Sequence, residues 1–205
     1  MTDALERALR QTAAALPADP PPRLDTEAAE AASLLDVAYA RHDTPVGTLV
    51  LAATPRGLVR VAYVDGEAGV ADALAALSRQ ISPRILAAPR RLDVARRELD
   101  EYFAGTRDRF DMPLDWRLTQ GFTRRVLRST ARIPYGSVSS YARVAAAAGS
   151  PRGSRAAGNA LGANPLPIVV PCHRVLHSGG GLGGYTGGVE RKLTLLAIEH
   201  GGPQD

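Results

Sequence analysis

The chain has 205 residues, 45% of them hydrophobic, with 25 Lys and Arg against 21 Asp and Glu. That length can bury the core of one domain or of two small ones, and a single cysteine excludes an internal disulfide framework and fits a reducing compartment. No stretch approaches a membrane span and the N-terminus lacks a basic start followed by an apolar run, so the sequence reads as cytoplasmic, with no membrane partner. Charge is divided by region. Residues 117–189 contain nine arginines and no Asp or Glu; with Glu190, Arg191, Lys192 and Glu199 added, 117–200 carries +9, and the chain total of +4 leaves −5 for the remainder. Such asymmetry points to a polyanion partner for the C-terminal half.

Residues 1–35 read as an N-terminal extension. Asp3 can cap a helix with Leu5, Leu9 and Ala13 on one stripe, Pro17-Ala18-Asp19-Pro20-Pro21-Pro22 ends it with a stiff linker, and an Ala-rich helical segment follows over 26–35. From Asp36 the pattern becomes strand-like over 37–41, 47–53 and 58–64, with turns at Asp43-Thr44-Pro45 and Pro55-Arg56-Gly57, which predicts an antiparallel meander. Val70, Leu74, Leu77 and Ile81 recur at helical spacing, 85–88 reads as a further strand, and 92–103 as a helix stopped at Gly105. The span 36–115 is therefore an α+β unit, closed by the extended connector Met112-Pro113-Leu114-Asp115-Trp116.

The remainder, 116–205, is mainly helical. One helix is expected over 119–133, with Thr119 as its cap, broken by Pro134-Tyr135-Gly136. Ser139-Ser140 caps a second helix running to Ala148. Pro151 opens a third that carries Arg152, Arg155, Ala156, Gly158 and Asn159, so 139–161 forms a helix-turn-helix. Apart from Asn159 its second helix offers Arg, Ala and Gly, where a reader of base sequence displays several long polar side chains. Small residues let a backbone press close against a narrow groove.

The lone cysteine lies in Asn164-Pro165-Leu166-Pro167-Ile168-Val169-Val170-Pro171-Cys172-His173-Arg174-Val175. Three prolines fix φ and remove donors, which places the thiol on a rigid turn after a short apolar strand, 168–170. A thiol becomes a nucleophile only as thiolate, and a free pKa of about 8.5 leaves a few per cent ionised at neutral pH unless a base or cation assists. In an extended segment His173 points away from the sulfur, so it needs a turn or a bridging water to act on it.

Pro171-Cys172-His173-Arg174-Val175, with Asn164-Pro165 upstream and Gly183-Gly184-Tyr185-Thr186-Gly187-Gly188-Val189-Glu190-Arg191-Lys192 downstream, resembles the O6-alkylguanine-DNA alkyltransferase family, closely over 117–200 and loosely over 36–116. The resemblance implies a small RNase-H-like α/β domain followed by a helical DNA-binding domain. It implies a protein that flips O6-alkylguanine, mainly O6-methylguanine with O4-alkylthymine as a further substrate, and moves the alkyl group irreversibly to Cys172. His173 would draw the thiol proton through a water, Glu199 would orient that imidazole, and Asn164 would brace the turn. Tyr141 would donate to guanine N3, Tyr185 would wall the pocket, the Thr186 amide would meet O6, and the Cys172 and Val175 carbonyls would accept from the exocyclic amine. Pro167 and Gly183 would line the same region, Gly183 leaving room for alkyl groups larger than methyl. Arg155 would enter the base stack in place of the flipped nucleotide, with Arg152, Ser140, Ala156 and Gly158 against the minor groove of double-stranded DNA.

The thioether product has no resolving thiol, so each molecule acts once, as a monomer and without a cofactor. His42, His173, His177 and His200 with one cysteine match no structural zinc spacing, and no metal is expected. Three other readings remain: a damage sensor that flips bases without repairing them, a transcriptional regulator using the helix-turn-helix, and a cysteine hydrolase that turns over.

Overall fold

The computed structural model describes residues 35–201; the helical segments expected before Leu35 lie outside the described residues. Strands β1 (Val37–Thr44), β2 (Gly47–Thr54) and β3 (Gly57–Tyr63) form the expected antiparallel meander. Helix α1 (Gly66–Gln80) then crosses the sheet and delivers β4 (Ile85–Ala87) parallel to β1, giving the order β3-β2-β1-β4. Leu49, Val50, Leu51 and Ala52 of β2 are all fully buried. A strand covered on both faces reads as a continuous apolar run, and β2 does so because α1 lies on one face and the main core on the other.

Helix α2 (Asp93–Phe103) buries Leu99, Tyr102 and Phe103, and Gly105, at φ +71°, turns the chain out of it as its sequence suggested. The connector that follows stays with the sheet. Leu58 N donates to Pro113 O and Asp115 N to Leu58 O, both at 2.8 Å, so it runs beside β3. Gly57 makes that approach possible, since a Cβ there would lie 2.1 Å from Pro113 O.

Helix α3 (Gly121–Thr130) starts later than expected: Gln120 is its N-cap, and the Thr119 hydroxyl donates instead to Trp116 O at 2.9 Å, closing the preceding turn. Helix α4 (Tyr141–Ala147) is capped by Ser140, whose Oγ accepts from Arg143 N at 3.2 Å. Helix α5 (Ser154–Gly162) also starts late. Gly149 at φ +85° and a tight turn from Ser150 to Gly153 use up the intervening residues, so Arg152 lies in the turn and not on the helix. The expected strand at 168–170 is absent. Val170 N bonds Leu166 O at 2.8 Å, Cys172 N bonds Val170 O at 2.7 Å, and Ile168 adopts φ +72°, because Pro165, Pro167 and Pro171 remove the donors a ladder needs. Two short strands, β5 (Ser139–Ser140) and β6 (Val175–Leu176), pair in parallel, and α6 (Val189–Glu199) closes the described chain. One apolar cluster joins Leu49, Leu51 and Leu99 of the sheet half to Leu127, Ala157, Leu166 and Leu195 of the helical half.

Candidate active site

Cys172, His173 and Arg174 occupy one 3₁₀ turn between the proline-fixed segment and β6. A turn, not an extended strand, therefore sets the side-chain directions, and it lets neighbouring residues serve one site. The Cys172 sulfur is buried and accepts a hydrogen bond from Asn164 Nδ2 at 3.2 Å. Asn164 also donates to Val170 O at 2.9 Å and accepts from Leu166 N at 3.0 Å, so it braces both ends of the segment that carries the thiol.

Glu199, the last residue of α6, gathers the polar contacts behind the thiol. Its Oε1 faces His173 Nε2 at 2.7 Å, and Arg174 donates to both oxygens through Nε, at 3.1 and 2.8 Å, and again to Oε1 through Nη2 at 2.8 Å. Tyr102 donates to the same Oε1 at 2.7 Å. Arg174 Nη1 completes its fork on Ile133 O at 2.6 Å. Burial works to raise the Glu199 carboxyl, but the hydrogen bonds from His173 and Arg174 outweigh it and bring it down to about 2. An ionised carboxylate beside Nε2 calls for a hydrogen there, which leaves Nδ1 as the bare, basic nitrogen. That Nδ1 is buried and has no protein hydrogen-bond partner. Burial lowers the His173 pKa, with Glu199 opposing, so the ring is neutral and able to take a proton at neutral pH.

Burial pushes the Cys172 thiol up to about 11, against the pull of the Asn164 hydrogen bond and the Lys192 charge. Lys192 is itself fully buried, and its ammonium donates to Val175 O at 2.7 Å and to Leu182 O. The resting thiol is thus protonated, with a base and a cation at hand to favour its ionisation.

The thiol opens on a cavity of roughly 600 Å³ between α5 and the glycine-rich loop, lined by Tyr141, Arg155, Gly158, Asn159, Tyr185 and Thr186 among others. That volume falls within the range that encloses a small ligand (roughly 300–1,000 Å³). Tyr141, Arg155, Gly158, Tyr185 and Thr186, expected from the sequence, meet here around Cys172. The Thr186 hydroxyl donates to Gly162 O at 3.1 Å and so ties the loop to the end of α5. Ala156 is exposed on α5, Ser140 is half-buried as the N-cap of α4, and Arg152 is exposed in the turn before α5. Three expected lining residues stand behind the wall. Pro167 and Val175 are buried, the Val175 carbonyl accepting from Lys192, and the space left by the missing side chain of Gly183 is filled by Tyr141, whose hydroxyl would be 2.5 Å from a Cβ there.

Sequence reasoning did not assign roles to Arg174, Lys192, Tyr102, Tyr63 or His177. The Tyr63 and Tyr185 hydroxyls are 2.8 Å apart, the Arg191 guanidinium lies 4.8 Å from the Tyr63 ring centre, and His177 packs on Tyr141 with ring centres 5.0 Å apart. Among the described residues no group of three His, Cys, Asp or Glu side chains is arranged to hold a metal, and no helix is long and apolar enough to cross a membrane.

Comparison with known proteins gives two family matches. Residues 37–116 match the ribonuclease-like domain, and residues 121–201 the DNA binding domain, of 6-O-methylguanine DNA methyltransferase. The methylated-DNA–protein-cysteine methyltransferase of Mycolicibacterium paratuberculosis is 40% identical over 168 residues, covering 80% of this chain and 92% of that protein. The constitutive enzyme of that name from Bacillus subtilis is 38% identical over 167 residues, covering 78% and 94%. Among solved structures, Mycobacterium tuberculosis OGT in complex with DNA superposes with a TM-score of 0.68 at 35% identity, covering 82% of this chain and 96% of that one.

Proposed function

The chain belongs to the 6-O-methylguanine DNA methyltransferase family, and from that premise we propose that it repairs DNA by moving the alkyl group of O6-alkylguanine, chiefly O6-methylguanine, to Cys172, once per molecule. The observation that carries this reading is the buried Cys172 sulfur, held by Asn164 and open to the cavity, with the neutral His173 imidazole and the ionised Glu199 behind it.

His173 Nδ1 takes the thiol proton through a water, and Glu199 and Lys192 hold the resulting charges: the carboxylate faces the imidazolium, and the ammonium favours the thiolate. The thiolate attacks the alkyl carbon. A C–S bond forms, the C–O6 bond breaks, and the electron pair stays on guanine, which Tyr141 supports by donating at N3. The guanine anion then takes up a proton, which the imidazolium of His173 gives back through the water, so guanine leaves uncharged and His173 returns to its neutral form. Nothing in the cavity cleaves a thioether, which makes the protein a reactant as well as a catalyst.

The lesion must leave the duplex to reach a thiol at the floor of a cavity, and unstacking it costs a few kcal/mol. Helix α5 is suited to hold the strands apart: Ala156 and Gly158 permit close approach to a minor groove, and Arg155, exposed at the cavity mouth, fills the gap in the stack. The protein works as a monomer in the cytoplasm.

Intact-protein mass after mixing with a duplex carrying one O6-methylguanine tests this directly. A gain of one methylene, mapped to Cys172, absent from Cys172→Ala and saturating at one lesion per protein, is the expected result. Tight binding without a mass gain means a damage sensor, and multiple turnover means a hydrolase.

A further inference from the structure

Tyr102 belongs to α2 of the ribonuclease-like half, yet its hydroxyl reaches 97 residues along the chain to Glu199 Oε1, at 2.7 Å. Its ring is fully buried and fixed by the rings of Phe103, Phe110 and Tyr135, with centres 5.3, 5.4 and 6.0 Å away. We propose that Tyr102 is a positioning residue for alkyl transfer: its O–H fixes the Glu199 oxygen that faces His173 and sets how strongly that carboxylate draws a proton onto the imidazole. The inference rests on the reading of His173 as the base for Cys172.

Oε1 carries the bonds from His173, Tyr102 and Arg174, while Oε2 has Arg174 Nε at 2.8 Å and Gly136 N at 3.4 Å. Each charge-assisted bond drains basicity from the carboxylate. A base must be neutral at rest and protonated only in the reaction, so its acceptor has to orient the ring without trapping a proton on it. Tyr102 supplies that restraint from outside the turn. A change of Tyr102 leaves the other groups acting on the pair in place. Arg174 and Lys192 face His173 as cations, Tyr185 meets its ring edge-on at 6.4 Å between centres, and Tyr135 stands beside Glu199.

Without the hydroxyl, more negative charge remains on Oε1 and the imidazolium is favoured. In Tyr102→Phe the acidic limb of the single-turnover pH–rate profile therefore moves to higher pH, by about half a unit to one unit, on the scale of ordinary environmental shifts. Replacing Tyr102 alone with a fluorinated tyrosine, a stronger donor that keeps the ring, moves the limb the opposite way and serves if Tyr102→Phe folds poorly. Glu199→Gln combined with Tyr102→Phe shows no shift beyond Glu199→Gln alone. An unmoved limb in both Tyr102 variants, with only a lower melting temperature, overturns the proposal and leaves Tyr102 as packing. A limb that persists in His173→Ala means instead that His173 is not the base, which is failure of the underlying reading and is separately visible.

Discussion

His173 Nε2 and Glu199 Oε1 lie 2.7 Å apart with both side chains wholly excluded from solvent. The carboxylate is also the sole counter-charge that the Arg174 guanidinium meets among the described residues. Removing one member of a buried pair strands the other, at a cost of about 3–5 kcal/mol. Glu199→Ala is therefore expected to lose stability on that scale as well as alkyl transfer. Chemical denaturation alongside single-turnover kinetics checks this; a loss below about 1 kcal/mol, the range of an exposed pair, contradicts it.

The same carboxyl sets an acid limit on the fold. Its folded value of about 2 lies below its ordinary 4.5, so the folded state favours the ionised form. A depressed carboxyl contributes stability that is fully present above the ordinary value and is lost as pH falls towards about 2. Melting temperatures measured down this range should fall steeply for the wild type. Glu199→Gln, which has no carboxyl to protonate, should start lower and fall less; parallel curves would remove Glu199 from the account.

Cys172 titrates in the opposite sense. Burial raises it to about 11, so the resting thiol is protonated at neutral pH, and its capture by a small disulfide reagent in the absence of DNA should be slow and accelerate with rising pH. Asn164→Ala removes the hydrogen bond that favours the thiolate and should slow capture further at a given pH. It also leaves the buried Leu166 N–H unpaired, costing about 1–3 kcal/mol, while Val170 O keeps its bond from Cys172 N. Fast capture at neutral pH that does not vary with pH would contradict this assignment.

How much of this was legible in the sequence depends on how far a residue's partner lies along the chain. The meander could be read because its strands pair through short turns, and α2 because its apolar spacing and the stop at Gly105 are local. The turn at 168–170 was misread as a strand: apolar β-branched residues dominate its composition, yet the flanking prolines control its hydrogen bonding. Arg174 left a usable trace. With no acid between 117 and 189, the carboxylates that its own half offers it up to residue 200 are Glu190 and Glu199. Tyr102 left none, since its partner sits in the other half and its own surroundings read as an ordinary apolar helix face.

The link between Tyr63 and Tyr185 gives a further test at the seam between the halves. Gly187 packs so closely under both rings that a Cβ would lie 2.5 Å from Tyr63 and 2.9 Å from Tyr185. Gly187→Ala is expected to cost about 1–3 kcal/mol as overpacking and to push Tyr185 into the cavity. Tyr63→Phe removes the hydroxyl pair without adding volume and should leave stability nearly unchanged. Denaturation midpoints of the two variants decide the matter, and equal losses would mean that the hydroxyl contact, not the packing, holds the seam.

Gly183 separates two explanations of a small residue beside the cavity. As a relief for bulky alkyl groups, its replacement would discriminate by size, slowing transfer from O6-benzylguanine while sparing O6-methylguanine. The observed geometry argues otherwise. Gly183 has φ +67°, where a side chain is strained by about 1–2 kcal/mol, and a Cβ would displace the Tyr141 hydroxyl. On the proposed role of Tyr141, donation to the base and not to the alkyl group, Gly183→Ala should slow both substrates alike, by about tenfold if one to two kcal/mol of positioning is lost. Transfer rates for the two substrates, compared between wild type and Gly183→Ala, provide the check. A changed ratio with an unchanged methyl rate would return Gly183 to the role of a size filter.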